Sequence, residues 1–179
     1  MRKTLFLAAP VLAFALAGCG DKTETPVPAA TASAAASAPV AAASPVTPDE
    51  ARKVAGERHE GFESIGKAFK TVMDQLKASA PDVAKIQESA GTINRFAPQV
   101  SGWFPAGSGP DVVPKSEALP AIWEKPVEFS AAAQKFVDEA GSFQRIAQSG
   151  NVAAIGAAAK ALGGSCKGCH ETFRKPDED

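Results

Sequence analysis

The chain has 179 residues, 45% of them hydrophobic, a length and composition that suit one ordinary domain with appendages. Its 19 lysines and arginines nearly balance its 20 aspartates and glutamates, and no basic stretch suggests a nucleic-acid partner. Tyrosine is absent, alanine is abundant and β-branched residues are sparse, which favours helices over sheets.

Residues 1–18 are typical of an export signal. Arg2 and Lys3 precede an apolar run over residues 5–16 that is too short to span a membrane as a helix. The run ends in Leu16-Ala17-Gly18-Cys19, which resembles a bacterial lipoprotein box, and in that family the cysteine is lipidated. We therefore expect a periplasmic protein anchored to a bacterial membrane through lipid on Cys19. A plain secretory peptide cleaved nearby, with Cys19 uninvolved, is the alternative.

Residues 19–46 have the composition of a flexible tether. They consist mainly of Ala, Pro, Ser, Thr and Val, and no aromatic residue among them could anchor a core. The folded domain is accordingly expected over residues 47–179.

Four amphipathic helices are predicted within this domain. The first begins at Pro48, where Thr47 and Glu50 can form a capping box. The second opens at Pro81, and the third follows Pro126. Each helix carries apolar residues at steps of three and four. The stripes are Val54, Arg58, Phe62, Ile65, Phe69, Met73 and Leu76; Val83, Ile86, Ala90, Ile93, Ala97 and Val100; Phe129, Ala133, Phe136, Ala140, Phe143 and Ala147; and Val152, Ile155, Ala159, Leu162, Cys166, Cys169 and Phe173.

The connections between these helices also carry local signals. Residues 101–120 are rich in proline and glycine, and we interpret them as an ordered loop pinned by Trp103 and Phe104. Gly150 stops the third helix, and Asn151 is a plausible cap for the fourth. Helices with one apolar face each can bury that face only by packing together. The predicted fold class is therefore all-α, an antiparallel four-helix bundle.

Residues 166–170 read Cys-Lys-Gly-Cys-His, the attachment signature of a c-type haem. Cys166 and Cys169 lie on adjoining turns of one helix face, so two thioethers could hold the two vinyl groups of one porphyrin. His170 follows Cys166 by four residues, and its imidazole could reach the iron. The alternatives are a dithiol or disulfide pair, and a zinc site that would add His59.

Several stretches together resemble cytochrome c prime, the class II c-type cytochromes, over about residues 47–175. The matching pieces are Glu57-Arg58 with Phe62 and Ile65-Gly66; Trp103-Phe104-Pro105-Ala106-Gly107-Ser108-Gly109; Leu119-Pro120-Ala121-Ile122-Trp123-Glu124-Lys125; Gly164-Ser165-Cys166-Lys167-Gly168-Cys169-His170; and Phe173-Arg174-Lys175. The resemblance implies a four-helix bundle with one covalently bound haem c. Cys166 and Cys169 would be its attachment points and His170 its axial ligand.

The resemblance also implies roles for side chains around the haem. A buried, unpaired guanidinium would be costly, and the family places an arginine at the position of Arg58 against a haem propionate. Snorkelling at the bundle end is the alternative for this residue. Phe62 occupies the distal position, where a methionine would bind the iron and an apolar residue leaves it five-coordinate. Phe173 and Arg174 are expected to pack on the proximal side. His59 is an alternative sixth ligand.

Two glycines precede the haem motif. Gly163 and Gly164 would each cost about 1 kcal/mol inside a helix. A flat porphyrin edge passing close to the backbone would explain both of them.

The leading functional hypothesis is a mono-haem cytochrome that binds nitric oxide or carbon monoxide and can transfer one electron. The alternative is a dedicated electron carrier with a six-coordinate, low-spin haem, serving an unidentified redox partner protein. An enzyme is not expected, because Phe62 stands where a distal acid–base group would be needed. The family often forms dimers, so a homodimer is compatible with the resemblance.

Overall fold

The structure, a computed structural model, describes residues 45–176. The predicted signal segment, almost all of the predicted tether and Cys19 lie outside the described residues. The elements are α1 (Pro48–Lys77), α2 (Val83–Phe96), a 3-10 helix (Ala97–Trp103), α3 (Ala121–Glu124), α4 (Pro126–Gln148) and α5 (Val152–Phe173).

The four long helices form the bundle. Helix α1 packs on α2, α2 on α4, and α4 on α5, whereas α1 and α5 contact each other only sparingly. The connections after α1 and α4 are short, so the helices that they join run antiparallel. The predicted fold class is confirmed. Over residues 45–176, no helix has the length and apolar character needed to cross a membrane.

Local capping signals determine where α1 and α5 begin. The Thr47 side chain accepts a hydrogen bond from the backbone N–H of Glu50, and the Glu50 carboxylate accepts one from the backbone N–H of Thr47 at 2.9 Å. Asn151 accepts from the backbone N–H of Ala154 and so caps α5. Gly150 ends the preceding turn with φ of 70°, a left-handed conformation that glycine adopts without strain. The capping box, the stop and the second cap are all as predicted.

The second helix is shorter than predicted. It begins at Val83, two residues after the predicted start at Pro81, with Asp82 as its cap, and the chain changes to the 3-10 helix at Ala97. Pro98 supplies the reason, because it has no N–H to donate and its ring clashes with the preceding turn of an α-helix. Ala97 and Val100 are nevertheless buried, as their place in the apolar stripe predicted.

The packing face of α1 also differs from the predicted stripe. Half of its buried positions are alanine or glycine, which allow close approach of neighbouring elements, while most of the large side chains of the stripe are only half-buried. The buried residues are Ala51, Arg58, Gly61, Ile65, Ala68 and Val72. The half-buried ones are Val54, Phe62, Phe69, Met73 and Leu76. In α4, by contrast, all six residues of the predicted stripe are buried.

Two apolar clusters hold the bundle together. The larger contains side chains from all four long helices and the 3-10 helix, with Phe143 and Leu162 fully buried. The smaller lies around Phe129 and Phe173, beside the short helix α3. Phe104 packs against both clusters, and so marks the place where they meet.

Replacing Thr47 by alanine should destabilise the protein by about 1 kcal/mol, because the first turn of α1 loses its cap. The matched control is Thr71→Ala, since the Thr71 hydroxyl only bonds back to the Lys67 carbonyl within α1. Chemical denaturation of both variants measures the difference. Equal midpoints for Thr47→Ala and the unaltered protein would show that the capping box does not contribute.

Candidate haem site

Cys166 and Cys169 lie on successive turns of α5. Their places in the apolar stripe predicted burial in the core, but both are only half-buried. Cys166 packs against the larger cluster and Cys169 against the smaller one. Both cysteines are free in the structure, so the disulfide alternative gains no support. Burial raises the pKa of both thiols.

His170 is exposed, whereas the two cysteines of the motif are half-buried. It lines an open depression of about 590 Å³ at the C-terminal end of α5, together with Lys167, Glu171 and Arg174. A Cβ placed on Gly164 or on Gly168 would meet nothing within 4 Å. One helix thus carries two half-buried thiols and an imidazole within little more than one turn, with open space beside the backbone.

Arg58 is buried, with 7% of its surface exposed, so it does not snorkel. Its Nη2 donates to the Ser116 hydroxyl at 2.9 Å, and its Nη1 donates to the Trp103 carbonyl at 3.4 Å. Its guanidinium carbon lies 4.7 Å from the centre of the Phe104 ring. Burial lowers the pKa of Arg58, but a guanidinium stays charged at neutral pH. Among the ion pairs within residues 45–176, none involves Arg58, so an anionic group would complement it.

Phe62 lies one turn along α1 from Arg58, in aromatic surroundings. Its ring meets Trp103 edge-on, with 5.2 Å between the centroids, and is tilted against Phe104 at 6.3 Å. His59 is exposed. The side chain that the sequence assigned to the distal position is thus half-buried among rings that offer no lone pair.

Phe173 and Arg174 tie the end of α5 to the loop that carries Ser116. The Phe173 ring is buried edge-on against Phe129, at 5.4 Å, and its carbonyl accepts from the backbone N–H of Leu119. The Nε of Arg174 donates to the Glu117 carboxylate at 2.8 Å. The loop beside Arg58 is therefore held to the helix that bears the Cys-Lys-Gly-Cys-His motif.

Two features of this region were not predicted from the sequence: the contact of Trp103 with Gly61 and the hydrogen bond of Ser116 to Arg58. The indole of Trp103 lies against Gly61, where an added Cβ would fall 2.2 Å from its Cη2 atom. A glycine inside a long helix was the available signal for this contact. Nothing in the sequence singled out Ser116. An added Cβ on Gly163 would lie 3.2 Å from Cζ of Phe69, whereas one on Gly164 would meet nothing within 4 Å, so the porphyrin explanation of the two glycines stays a prediction.

The donor set fits a covalently attached haem. A haem with propionates requires two thiols for attachment, an imidazole for the iron and a cation for a propionate. The site supplies two unpaired thiols, an imidazole four residues after the first of them, and a buried cation without an acidic partner among residues 45–176. Within residues 45–176, no three His, Cys, Asp or Glu side chains gather to hold a metal ion, so the zinc alternative gains no support. Fold and site together define a four-helix-bundle cytochrome of the c type.

The chain belongs to the cytochrome c' family, whose model matches residues 53–174. Cytochrome c' from Pararhodospirillum photometricum is 35% identical over 118 residues, which cover 66% of this chain and 93% of that protein. The family carries one covalently attached haem c.

Solved structures show the same architecture. Cytochrome c' from Thermochromatium tepidum is 18% identical, with a TM-score of 0.65 over 73% of this chain and 98% of that one. A nitric oxide complex of a variant cytochrome c prime from Alcaligenes xylosoxidans is 25% identical, with a TM-score of 0.63 over 74% and 99%.

Replacing Ser116 by alanine should destabilise the protein by about 1–3 kcal/mol, because a buried N–H of Arg58 and the backbone N–H of Ala118 both lose their acceptor. Ser101→Ala is the control, since Ser101 is exposed on the 3-10 helix and should change stability by less than about 0.5 kcal/mol. Denaturant titration compares the two. If both variants unfold at the same midpoint, Ser116 is not the support for Arg58 described above.

Proposed function

We propose that this protein is a periplasm-facing mono-haem cytochrome c' that binds small diatomic gases, nitric oxide or carbon monoxide, at a five-coordinate haem iron. Cys166 and Cys169 attach the haem, and His170 is the axial ligand. The bound haem supplies an iron that takes up the gas and can exchange one electron. The observation that supports the proposal is the aromatic packing of Phe62, a ring without a donor atom at the residue that we assign to the distal position.

Cys166, Cys169 and His170 would hold different parts of the haem. The thiols of Cys166 and Cys169 point to different apolar clusters, so two bonds from one helix turn would fix the orientation of the porphyrin between those clusters. His170, on the exposed side of α5, would donate a nitrogen lone pair to the iron. Its position next to Cys169 leaves the proximal side near solvent.

Arg58 would bind a haem propionate. Its guanidinium is already held by Ser116 and the Trp103 carbonyl, and stacks on Phe104, so its remaining donors are fixed in direction. A carboxylate there would neutralise a charge that the described residues leave without an acidic partner. Phe173 and Arg174 would support the proximal side, by packing in the smaller cluster and by tying α5 to Glu117.

Phe62 favours an uncharged diatomic gas over water or an anion. A phenyl ring can neither bind iron nor hydrogen-bond to water, whereas an apolar gas needs no such partner. The Alcaligenes xylosoxidans relative forms a nitric oxide complex, which supports the same ligand class here. With no acid–base pair beside Phe62, we propose binding and electron exchange rather than catalysis.

The hydrogen bonds of Arg58 disfavour His59 as the distal ligand. His59 and Phe62 are three residues apart, so α1 would have to rotate by about 60° to exchange them. Such a rotation would pull the adjacent Arg58 away from Ser116 and the Trp103 carbonyl. The buried guanidinium would then lose the only neutral acceptors that it has among residues 45–176.

Location and partners complete the proposal. Export and a lipid anchor at Cys19 remain predictions from the sequence, because residue 19 lies outside the described residues. A redox partner protein and a homodimer likewise rest on the family resemblance.

The spin state of the haem tests the gas-binding proposal. The ferrous protein should be high-spin and five-coordinate, and Phe62→Met should convert it to a six-coordinate, low-spin form because a thioether then reaches the iron. Phe62→Leu is the matched control, since leucine is of similar bulk and offers no donor atom, and it should stay high-spin. Optical spectra of the three ferrous proteins, with and without carbon monoxide, give the answer.

A low-spin spectrum of the unaltered protein that turns high-spin in His59→Ala would contradict the proposal. The protein would then be an electron carrier with two histidine ligands.

A further inference from the structure

The indole of Trp103 is seated on α1 at a position that only glycine permits. Trp103 is 7% exposed and ends the 3-10 helix, while Gly61 lies immediately before Phe62. An added Cβ on Gly61 would lie 2.2 Å from Cη2 and 2.4 Å from Cζ2 of the indole. Real Cβ atoms do not approach other atoms so closely. The indole therefore occupies the space that a side chain at position 61 would take.

The same indole is fixed from its other sides. The ring of Phe96 is tilted against the indole, with 6.3 Å between the centroids. The backbone carbonyl of Trp103 accepts a hydrogen bond from Nη1 of Arg58. Because the ring and the backbone of Trp103 are both held by α1 and by the end of α2, the indole has little freedom to move.

The edge of this fixed indole meets the ring of Phe62 at 5.2 Å, with 72° between the planes. An edge-to-face aromatic pair is attractive beyond the area that it buries, so this contact stabilises the present orientation of the Phe62 ring. Phe104, at 6.3 Å, bounds the Phe62 ring on a further side. Any ligand that enters behind Phe62 requires its ring to swing away from these neighbours.

We propose that Trp103 is a positioning residue that holds the Phe62 ring over the distal side of the haem and thereby sets the rate at which a diatomic gas reaches the iron. Trp103 does not touch the gas and acts only through Phe62. The inference rests on the proposed function, since it assigns the control of gas entry at the same site.

The test is the association rate of carbon monoxide with the ferrous holoprotein, measured by rapid mixing. Trp103→Leu should raise this rate about 3- to 10-fold, the range expected when an aromatic edge-to-face contact is lost. Trp103→Phe keeps an aromatic edge and should return the rate to within about twofold of the unaltered protein. In a Phe62→Ala background, Trp103→Leu should have no further effect, because the ring on which it acts is gone.

Gly61→Ala displaces the indole without deleting it, and serves if Trp103→Leu is poorly folded. It should raise the association rate in the same direction and lower the midpoint of denaturant unfolding. Gly56→Ala is the matched control on the same helix, since a Cβ there would meet nothing within 4 Å. It should leave the association rate unchanged and should raise the unfolding midpoint rather than lower it, because alanine is a better helix former than glycine.

Two results would overturn the inference alone. One is an unaltered association rate in both Trp103→Leu and Gly61→Ala. The other is an equal acceleration by Trp103→Leu with and without Phe62, which would mean that Trp103 acts by another route. An unaltered protein that takes up no carbon monoxide would instead contradict the proposed function, and the inference would fall with it.

Discussion

The burial of one guanidinium organises the region around the haem motif. Arg58 joins α1 to the 3-10 helix through the Trp103 carbonyl, and to the following loop through Ser116. That loop is joined to the end of α5 by backbone hydrogen bonds and by the ion pair of Arg174 with Glu117. A charge removed from water stabilises a fold only when its partners are well placed, so these links constrain each other. A haem propionate would add the opposite charge that the described residues do not pair with Arg58.

The distal side is organised by rings rather than by charge. Phe62 packs edge to face with Trp103 and tilted against Phe104, and Phe104 in turn lies beneath Arg58. The polar and apolar halves of the site therefore share one aromatic side chain. In the proposed function, a distal side built in this way would disfavour groups that need hydrogen bonds, and the guanidinium would attract a haem propionate.

The sequence predicted the features of this fold that depend on neighbours along the chain. The Thr47–Glu50 capping box, the buried stripe of α4 and the spacing of the haem motif are local, and a short window contains the whole interaction. The contacts that the sequence did not reveal are distant in the chain. Trp103 packs on Gly61, 42 residues away in the sequence, and Arg58 donates a hydrogen bond to Ser116, 58 residues away. Periodicity marks the buried face of a helix but does not tell which partner lies on it.

The central claim is that Cys166 and Cys169 hold one haem, and mass spectrometry of a digested holoprotein tests it most directly. The fragment that contains residues 166–170 should carry the mass of one haem, and neither cysteine should react with a thiol reagent. A fragment of unmodified mass with two reactive thiols, or one in which the cysteines form a disulfide, would contradict the account.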